Sequence, residues 1–178
     1  MTEYLSKHFT LDECIYSETA EKLGIKNEPT DLHKKCLKHT CEYLMEPLRT
    51  LLNEKYKTYA GKKVKYVIIK ITSGYRSALL NSKIKGASKT SQHCKGFALD
   101  CEARIVLQDG AVKVLPYTEL YENVKGWVKI GKISVDQCIQ ERAGNDVWVH
   151  LSHHPSGRSC DRRQFLKYNG KTYTLDTK

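Results

Sequence analysis

The chain has 178 residues, enough for one domain with a sizeable core, and it carries a formal net charge of +10. Hydrophobic residues make up 40% of it but occur only in short runs, which excludes a membrane-spanning helix. Residues 1–8 lack the apolar core of a secretory signal peptide, so we expect the protein to be made and kept in the cytoplasm.

The seven cysteines are odd in number and include no C-x-x-C pair. In a chain without a signal peptide, this argues against a disulfide framework and against a thiolate zinc site. We therefore expect most of the cysteines to be small buried hydrophobic residues.

The N-terminal part, residues 1–60, is predicted to be helical. The predicted helices are 10–14, opened by a capping box, 17–24, stopped by Gly24, and 31–59, with a kink or junction at Pro47. We expect this part to pack on a sheet and to carry no chemistry.

Residues 61–178 are predicted to supply that sheet, so that 1–178 forms a single α+β domain. The predicted strands are 64–72, 97–107, 112–115, 133–141 and 147–152, with helices at 77–85 and 117–131, a hairpin loop at 142–146 and a hairpin turn at 168–171.

Positive charge is concentrated between Lys55 and Leu99, a stretch with no acidic residue. We call it the basic segment; its cations are Lys55, Lys57, Lys62, Lys63, Lys65, Lys70, Arg76, Lys83, Lys85, Lys89 and Lys95. It predicts an electropositive cleft wall that attracts an anionic polymer. A nucleic acid is the rival partner, but the segment contains no recognisable reader module.

The basic segment leads into a motif that brings a histidine and an aspartate together. Gly96 makes a tight turn after His93, and on the following strand Asp100 faces away from Leu99 and Cys101. Asp100 therefore returns beside His93, as two ligands of a catalytic zinc site that needs one more protein ligand. His150, on the polar face of strand 147–152, is the candidate third ligand.

Two motifs resemble the signature of the zinc D-Ala-D-Ala carboxypeptidase superfamily, namely Ser91-x-His93-x-x-Gly96-x-Ala98-x-Asp100 and Trp148-x-His150. This superfamily includes phage endolysins, and the hedgehog domain shares its fold. The resemblance covers nearly the whole chain, from residue 5 to residue 168. It implies a small phage-type peptidase, with helices packed on a central antiparallel sheet and one Zn²⁺ held by His93, Asp100 and His150.

The resemblance also implies an activity and a substrate. The expected reaction is hydrolysis of peptidoglycan stem peptides or cross-bridges, by a D-Ala-D-Ala carboxypeptidase or an endolysin-type endopeptidase. Arg76, in Thr72-Ser73-Gly74-Tyr75-Arg76-Ser77, would bind the substrate's carbonyl or carboxylate, a task that suits a planar, always charged guanidinium. The alternative for Arg76 is a surface ion pair at the start of a helix.

A zinc peptidase of this kind also needs a carboxylate to move the proton of the attacking water. Many relatives carry an acidic residue three positions before the third ligand, where this chain has Val147. Glu141, at the end of the preceding strand, is the favoured catalytic carboxylate. The alternative is Asp146, at the hairpin tip and about 13 Å from His150 along an extended strand.

The departure at Val147 supports a second function, a zinc-stabilised wall- or protein-binding module without turnover. Nucleic-acid binding is a third and weaker alternative.

We expect a monomer with no nucleic-acid or membrane partner, which acts on the cell wall after release through a phage-encoded pore. We expect His153 and His154 on a surface loop, and Arg162 and Arg163 either on wall polymers or paired with surface acids.

Overall fold

Helices form most of the chain before residue 56 in the computed structural model, which describes residues 2–177. They are α1 (Leu11–Ile15), α2 (Glu18–Leu23), α3 (Asp31–Thr40) and α4 (Glu46–Lys55). The predicted capping box is confirmed, because the Thr10 hydroxyl accepts the Glu13 N–H while the Glu13 carboxylate accepts the Thr10 N–H. Gly24 ends α2 in the left-handed conformation, at φ 62°.

A π-helical turn, Cys41–Met45, joins α3 to α4 immediately before Pro47. Proline has no N–H to donate and its ring crowds the preceding turn, so a wider turn accommodates it. The predicted junction at Pro47 is confirmed. The predicted helix is wrong beyond Lys55, because Thr58–Tyr59 pairs with the start of the next strand instead.

Eight strands within residues 2–177 form one sheet. They are β1 (Thr58–Tyr59), β2 (Lys62–Ser73), β3 (Ala98–Leu107), β4 (Val112–Val114), β5 (Gln137–Ala143), β6 (Asp146–Ser152), β7 (Gln164–Tyr168) and β8 (Tyr173–Leu175). The order across the sheet is β1-β2-β3-β6-β5-β7-β8, with β4 also paired to β3. This mixture of helices and a large sheet agrees with the predicted α+β class.

Two more helices complete the fold, α5 (Ala78–Lys83) between β2 and β3, and α6 (Tyr117–Lys129) between β4 and β5. None of the helices in the described part of the chain is both long enough and apolar enough to cross a bilayer.

The two faces of the sheet have different roles, as β3 illustrates. Leu99 and Ala103 point to one face and are buried with Leu48 of α4 and Val124 of α6 in one hydrophobic core. Asp100 lies between them in sequence and therefore points to the opposite face, because side chains alternate along a strand. That opposite face, which we call the outer face, carries the polar residues of the candidate site.

The prediction of a wholly antiparallel sheet is wrong at one pair, since β7 runs parallel to β5. Residues 153–163, which include a 3-10 turn at Arg158–Cys160, form the crossover from the end of β6 to β7. β7 then pairs with the edge of β5. A parallel neighbour needs such a crossover, whereas an antiparallel one needs only a hairpin. The predicted strand 133–141 is shifted in the structure to β5, Gln137–Ala143. The predicted hairpin loop 142–146 is shorter, because β5 and β6 are joined by Gly144 and Asn145 alone.

Candidate metal centre

His93 is held by a short 3-10 turn, Gln92–Lys95, between two well-defined ends. The Ser91 hydroxyl accepts the backbone N–H of His93 at 3.3 Å, and Gly96 closes the turn at φ 72°. A Cβ at Gly96 would lie 2.7 Å from the His33 carbonyl oxygen, so a side chain there would disturb both the turn and α3. The turn delivers His93 to the outer face with only 3% of its surface exposed.

The tautomer of His93 follows from its backbone partner. Its Nδ1 lies 2.8 Å from the carbonyl oxygen of Gly74, an acceptor, so Nδ1 carries the proton and donates it. Neutral His93 therefore presents a bare Nε2 lone pair on its other side. Burial lowers the pKa of His93, which favours this neutral, ligand-competent form.

Asp100 and His150 reach the same point because their strands are in register. Asp100 of β3 is the direct antiparallel partner of His150 of β6, and both face outward. Asp100 Oδ1 lies 2.9 Å from His150 Nδ1 and 3.2 Å from His93 Nε2, and the two imidazole nitrogens are 3.1 Å apart. The two predicted histidine ligands and the predicted aspartate ligand therefore converge.

The three close contacts among His93, Asp100 and His150 cannot all be hydrogen bonds, because the cluster has too few protons. His93 Nε2 and Asp100 Oδ1 are both acceptors, and the single proton available to His150 Nδ1 can satisfy only one of them. Two buried lone pairs facing each other are costly unless a cation lies between them. The donor set fits Zn²⁺, because two imidazoles and a carboxylate bound tetrahedrally at about 2.0–2.1 Å would be separated by about 3.3 Å. His93, Asp100 and His150 are thus able to hold a metal ion.

Asp100 stays ionised in this setting. Burial alone would raise its pKa, but the interaction with His93 and the hydrogen bond from His150 hold the pKa well below its usual range. Arg76 adds to this by donating from Nη2 to the second carboxylate oxygen, Oδ2, at 3.2 Å. One oxygen of Asp100 therefore faces the histidines, and the other is held by a guanidinium.

Arg76 lies between the end of β2 and the start of α5. Its Nε donates to the Ser73 hydroxyl at 3.3 Å, and its backbone N–H donates to the His93 carbonyl at 3.3 Å. The ion pair with Asp100 is not a surface one, since the two side chains are 13% and 7% exposed. Arg76 also lines the cleft over the outer face, with guanidinium donors to spare beyond these two side-chain contacts.

Glu141 lies one strand beyond His150 on the same outer face. Its register partner on β6 is Trp148, and Ile139, two residues earlier, pairs with His150. Glu141 is 9% exposed and lines the same cleft as the three ligand candidates. Burial, reinforced by the negative charge of Asp100, raises the pKa of Glu141 to about 7.

Asp146, the alternative carboxylate, lies at the far end of the β5–β6 hairpin. It is exposed and pairs with Ala143 at the start of β6. The hairpin geometry therefore brings Glu141, and not Asp146, to the side of His150.

The cleft itself is open and has a volume of roughly 510 Å³. Two cations of the basic segment line it, Arg76 and Lys85, and Arg162 joins them from the C-terminal part. Tyr168 and Tyr173 form its aromatic side, with their rings stacked 4.4 Å apart. Tyr168 is the register partner of Glu141 on β7, so the C-terminal hairpin builds the wall next to Glu141.

The sequence did not indicate a buried cluster that Arg162 forms with Asp136 and Gln92. Arg162 donates from Nε and Nη2 to Asp136, at 2.9 and 2.6 Å, and Asp136 also accepts from Gln92 at 2.7 Å. Asp136 is buried, so Arg162 is not paired with a surface acid. Because Gln92 directly precedes His93, this cluster ties the C-terminal part of the chain to the 3-10 turn that holds His93.

The expectation of a surface position for His153 is wrong, since it is 1% exposed. Its backbone N–H donates to the Phe97 carbonyl at 3.0 Å, which continues the β3–β6 ladder past Ser152 and carries the side chain inward. There its Nδ1 lies 2.7 Å from the Asp161 carboxylate. The expectation of mainly buried cysteines is confirmed by Cys14, Cys36, Cys41, Cys101 and Cys138.

Comparison with known proteins identifies a family. The family model described as Peptidase M15 matches residues 7–116. The match includes Arg76, His93 and Asp100 but ends before Glu141 and His150, which the sheet register brings to the same cleft. Neither the comparison with curated proteins nor that with solved structures found a match.

Proposed function

Because the chain belongs to the M15 peptidase family, as the resemblance of its motifs predicted, we propose that it is a zinc peptidase that hydrolyses peptidoglycan stem peptides or cross-bridges. The reaction would be that of a D-Ala-D-Ala carboxypeptidase or of an endolysin-type endopeptidase on a hedgehog-like fold. The observation that carries the proposal is the facing pair of acceptors, His93 Nε2 and Asp100 Oδ1, 3.2 Å apart in a buried cluster beside an ionisable Glu141.

His93, Asp100 and His150 are the residues that would hold the zinc. When bound, zinc supplies Lewis-acid polarisation of a scissile carbonyl and acidifies water. The chain's contribution is to fix the three donors before the ion arrives. Gly74 sets the His93 tautomer, and the β3–β6 register sets Asp100 against His150.

Glu141 is proposed to take the proton of the attacking water and to return it to the leaving amine. Its side chain makes no hydrogen bond to any other residue among 2–177, so the carboxylate is available to a substrate or a water. Its largely buried position keeps bulk water from competing for the proton. These features support Glu141 for the role although Val147 occupies the position that is acidic in many relatives.

Arg76 is proposed to orient the substrate. Of its five guanidinium N–H groups, one is used by Ser73 and one by Asp100, which leaves donors for a substrate carbonyl or carboxylate. The same contact with Asp100 would keep the metal-binding carboxylate ionised. Arg76, Lys85 and Arg162 together give the cleft cations suited to an anionic wall polymer.

The test is digestion of purified peptidoglycan by the zinc-loaded protein, with mass spectrometry of the released fragments. Glu141→Gln should lower the rate by about 10²–10⁴-fold while one zinc per chain stays bound. Asp146→Asn, on the same hairpin, is the matched control and should retain full activity. Zinc binding without release from walls of several species would instead favour the wall- or protein-binding module.

A further inference from the structure

Asn27 lies in the loop between α2 and α3, a region expected from the sequence to carry no chemistry. Its side chain uses all of its strong hydrogen-bonding groups on backbone atoms of two distant segments. Nδ2 donates to the Ile15 carbonyl at 2.7 Å and to the Tyr75 carbonyl at 2.8 Å. Oδ1 accepts the backbone N–H of Ser77 at 2.7 Å.

The two contacts with residues 75 and 77 lie on either side of Arg76. The Tyr75 carbonyl belongs to the peptide group before Arg76, and the Ser77 N–H belongs to the one after it. Asn27 therefore fixes both peptide groups that flank the Arg76 Cα. The link to Ile15 anchors the same amide to the end of α1, so the constraint comes from the helical part of the chain.

Fixing these peptides matters because Arg76 is a long side chain that must reach a defined target. Arg76 Nη2 lies 3.2 Å from Asp100 Oδ2, and the backbone N–H of Arg76 donates to the His93 carbonyl. A rotation of either flanking peptide would swing the guanidinium away from both the metal-binding carboxylate and the substrate. A misplacement of about 1 Å at such a group can cost about 100-fold in rate.

We propose that Asn27 is a positioning residue that aims Arg76 into the cleft. This inference rests on the proposed function, because Arg76 is taken as the group that orients the substrate. Asn27 is proposed to act through Arg76, without contact to substrate or metal. The N-terminal helical part then contributes to the active site and not only to the core.

The chain contains a matched control for this proposal. Asn53, also half-buried, makes the same three contacts elsewhere: Nδ2 donates to the Arg49 and Val67 carbonyls, and Oδ1 accepts the Val67 N–H, all at 2.8 Å. It ties α4 to β2 away from the cleft. Asn53→Ala therefore removes the same number and kind of hydrogen bonds as Asn27→Ala does, but without disturbing Arg76.

The experiment compares Asn27→Ala and Asn53→Ala in zinc-loaded protein, well below the Tm of both. Each variant should lower Tm by roughly 5–10 °C through its lost hydrogen bonds. Only Asn27→Ala should lower kcat/KM, by about 10–100-fold, with one zinc per chain retained. In an Arg76→Ala background the effect of Asn27→Ala should shrink to less than about twofold, because the two changes act on one group. Equal losses of kcat/KM in the two variants would overturn the proposal.

A second readout separates this proposal from the proposed function. The Arg76 Nε–H, which donates to Ser73, should give one sharp NMR signal in the wild type and in Asn53→Ala. Asn27→Ala, or the milder Asn27→Asp if the first does not fold, should broaden or shift it. An unchanged signal would overturn the positioning role. Absence of hydrolysis by the wild type would overturn the proposed function alone, and the NMR comparison would still decide the role of Asn27.

Discussion

Asp100 and His150 are direct cross-strand partners, with Asp100 Oδ1 2.9 Å from His150 Nδ1. The pair is separated by 50 residues in the chain, yet the β3–β6 register alone brings it together. A slip of one residue in that register would turn one side chain into the core. The candidate metal centre is therefore a property of the sheet as much as of its motif.

Asp100→Asn is predicted to weaken zinc binding by more than about 100-fold, because the amide keeps the shape of the side chain but loses its negative charge. Competition against a chromophoric chelator measures the affinity. Asp109→Asn removes an exposed carboxylate that pairs with Lys62 and should leave the affinity unchanged. Equal affinities of the wild type and Asp100→Asn would remove Asp100 from the ligand set.

Gly74→Ala is predicted to destabilise the fold by about 1–3 kcal/mol or more, because its Cβ would lie 2.0 Å from the Cys14 carbonyl oxygen. The shift would also move the Gly74 carbonyl, which accepts the hydrogen bond from His93 Nδ1, so zinc should stabilise the variant less than the wild type. Urea unfolding with and without zinc measures both effects.

Gly126→Ala is the control for that change, since nothing lies within 4 Å of a Cβ on that residue of α6. It should raise the free energy of unfolding by about 0.5–1 kcal/mol through helix propensity. A Gly74→Ala protein as stable as the wild type would mean that the contact with Cys14 does not constrain the loop.

The ionisation of Glu141 is predicted to make the metal-free protein less stable as the pH rises. The pKa of Glu141 is raised from 4.5 to about 7, so the folded state binds its proton more tightly than the unfolded state does. The resulting stability is fully present below pH 4.5 and is lost as the pH rises through 7. Glu141→Gln removes this loss.

Urea unfolding of metal-free wild type and Glu141→Gln between pH 4.5 and 8 tests that linkage. The variant should gain stability relative to the wild type across this window, and zinc should reduce the gain because a nearby cation favours the carboxylate. Parallel stability curves for the two proteins would show that Glu141 is not desolvated.

Asp136 is predicted to show the opposite pH dependence. Burial acts to raise its pKa, but the hydrogen bonds from Arg162 and Gln92 outweigh burial and lower it below 3.8. Its contribution to stability is therefore present above pH 3.8 and is lost as the pH falls through the lower folded value. Asp136→Asn should cost about 2 kcal/mol at pH 7 and progressively less in acid. A cost that does not change with pH would exclude the ionised pair as its source.

The residues of the candidate metal centre could be located from the sequence because local patterns determine the directions of their side chains. Strand alternation places Asp100 and His150 on the polar face, and Gly96 indicates the turn that presents His93. Helix starts were predictable for the same reason, since the capping of α1 by Thr10 involves only residues close in sequence.

Other features depend on contacts between distant segments, which no local pattern encodes. The parallel addition of β7 to β5 follows from the path of residues 153–163, and the burial of His153 follows from its hydrogen bond to Phe97. The three hydrogen bonds of Asn27 reach residues 15, 75 and 77 from the loop between α2 and α3.

Activity on purified peptidoglycan during zinc titration of the chelator-treated protein is the most direct test of the proposed zinc peptidase. We expect no new peptide termini without metal, then a rate of hydrolysis that rises with added zinc and levels off at one zinc per chain. Asp100→Asn should stay inactive at the same zinc concentrations. Full activity in the metal-free protein, or no new termini from the wild type with one zinc bound, would contradict a zinc peptidase built on His93, Asp100 and His150.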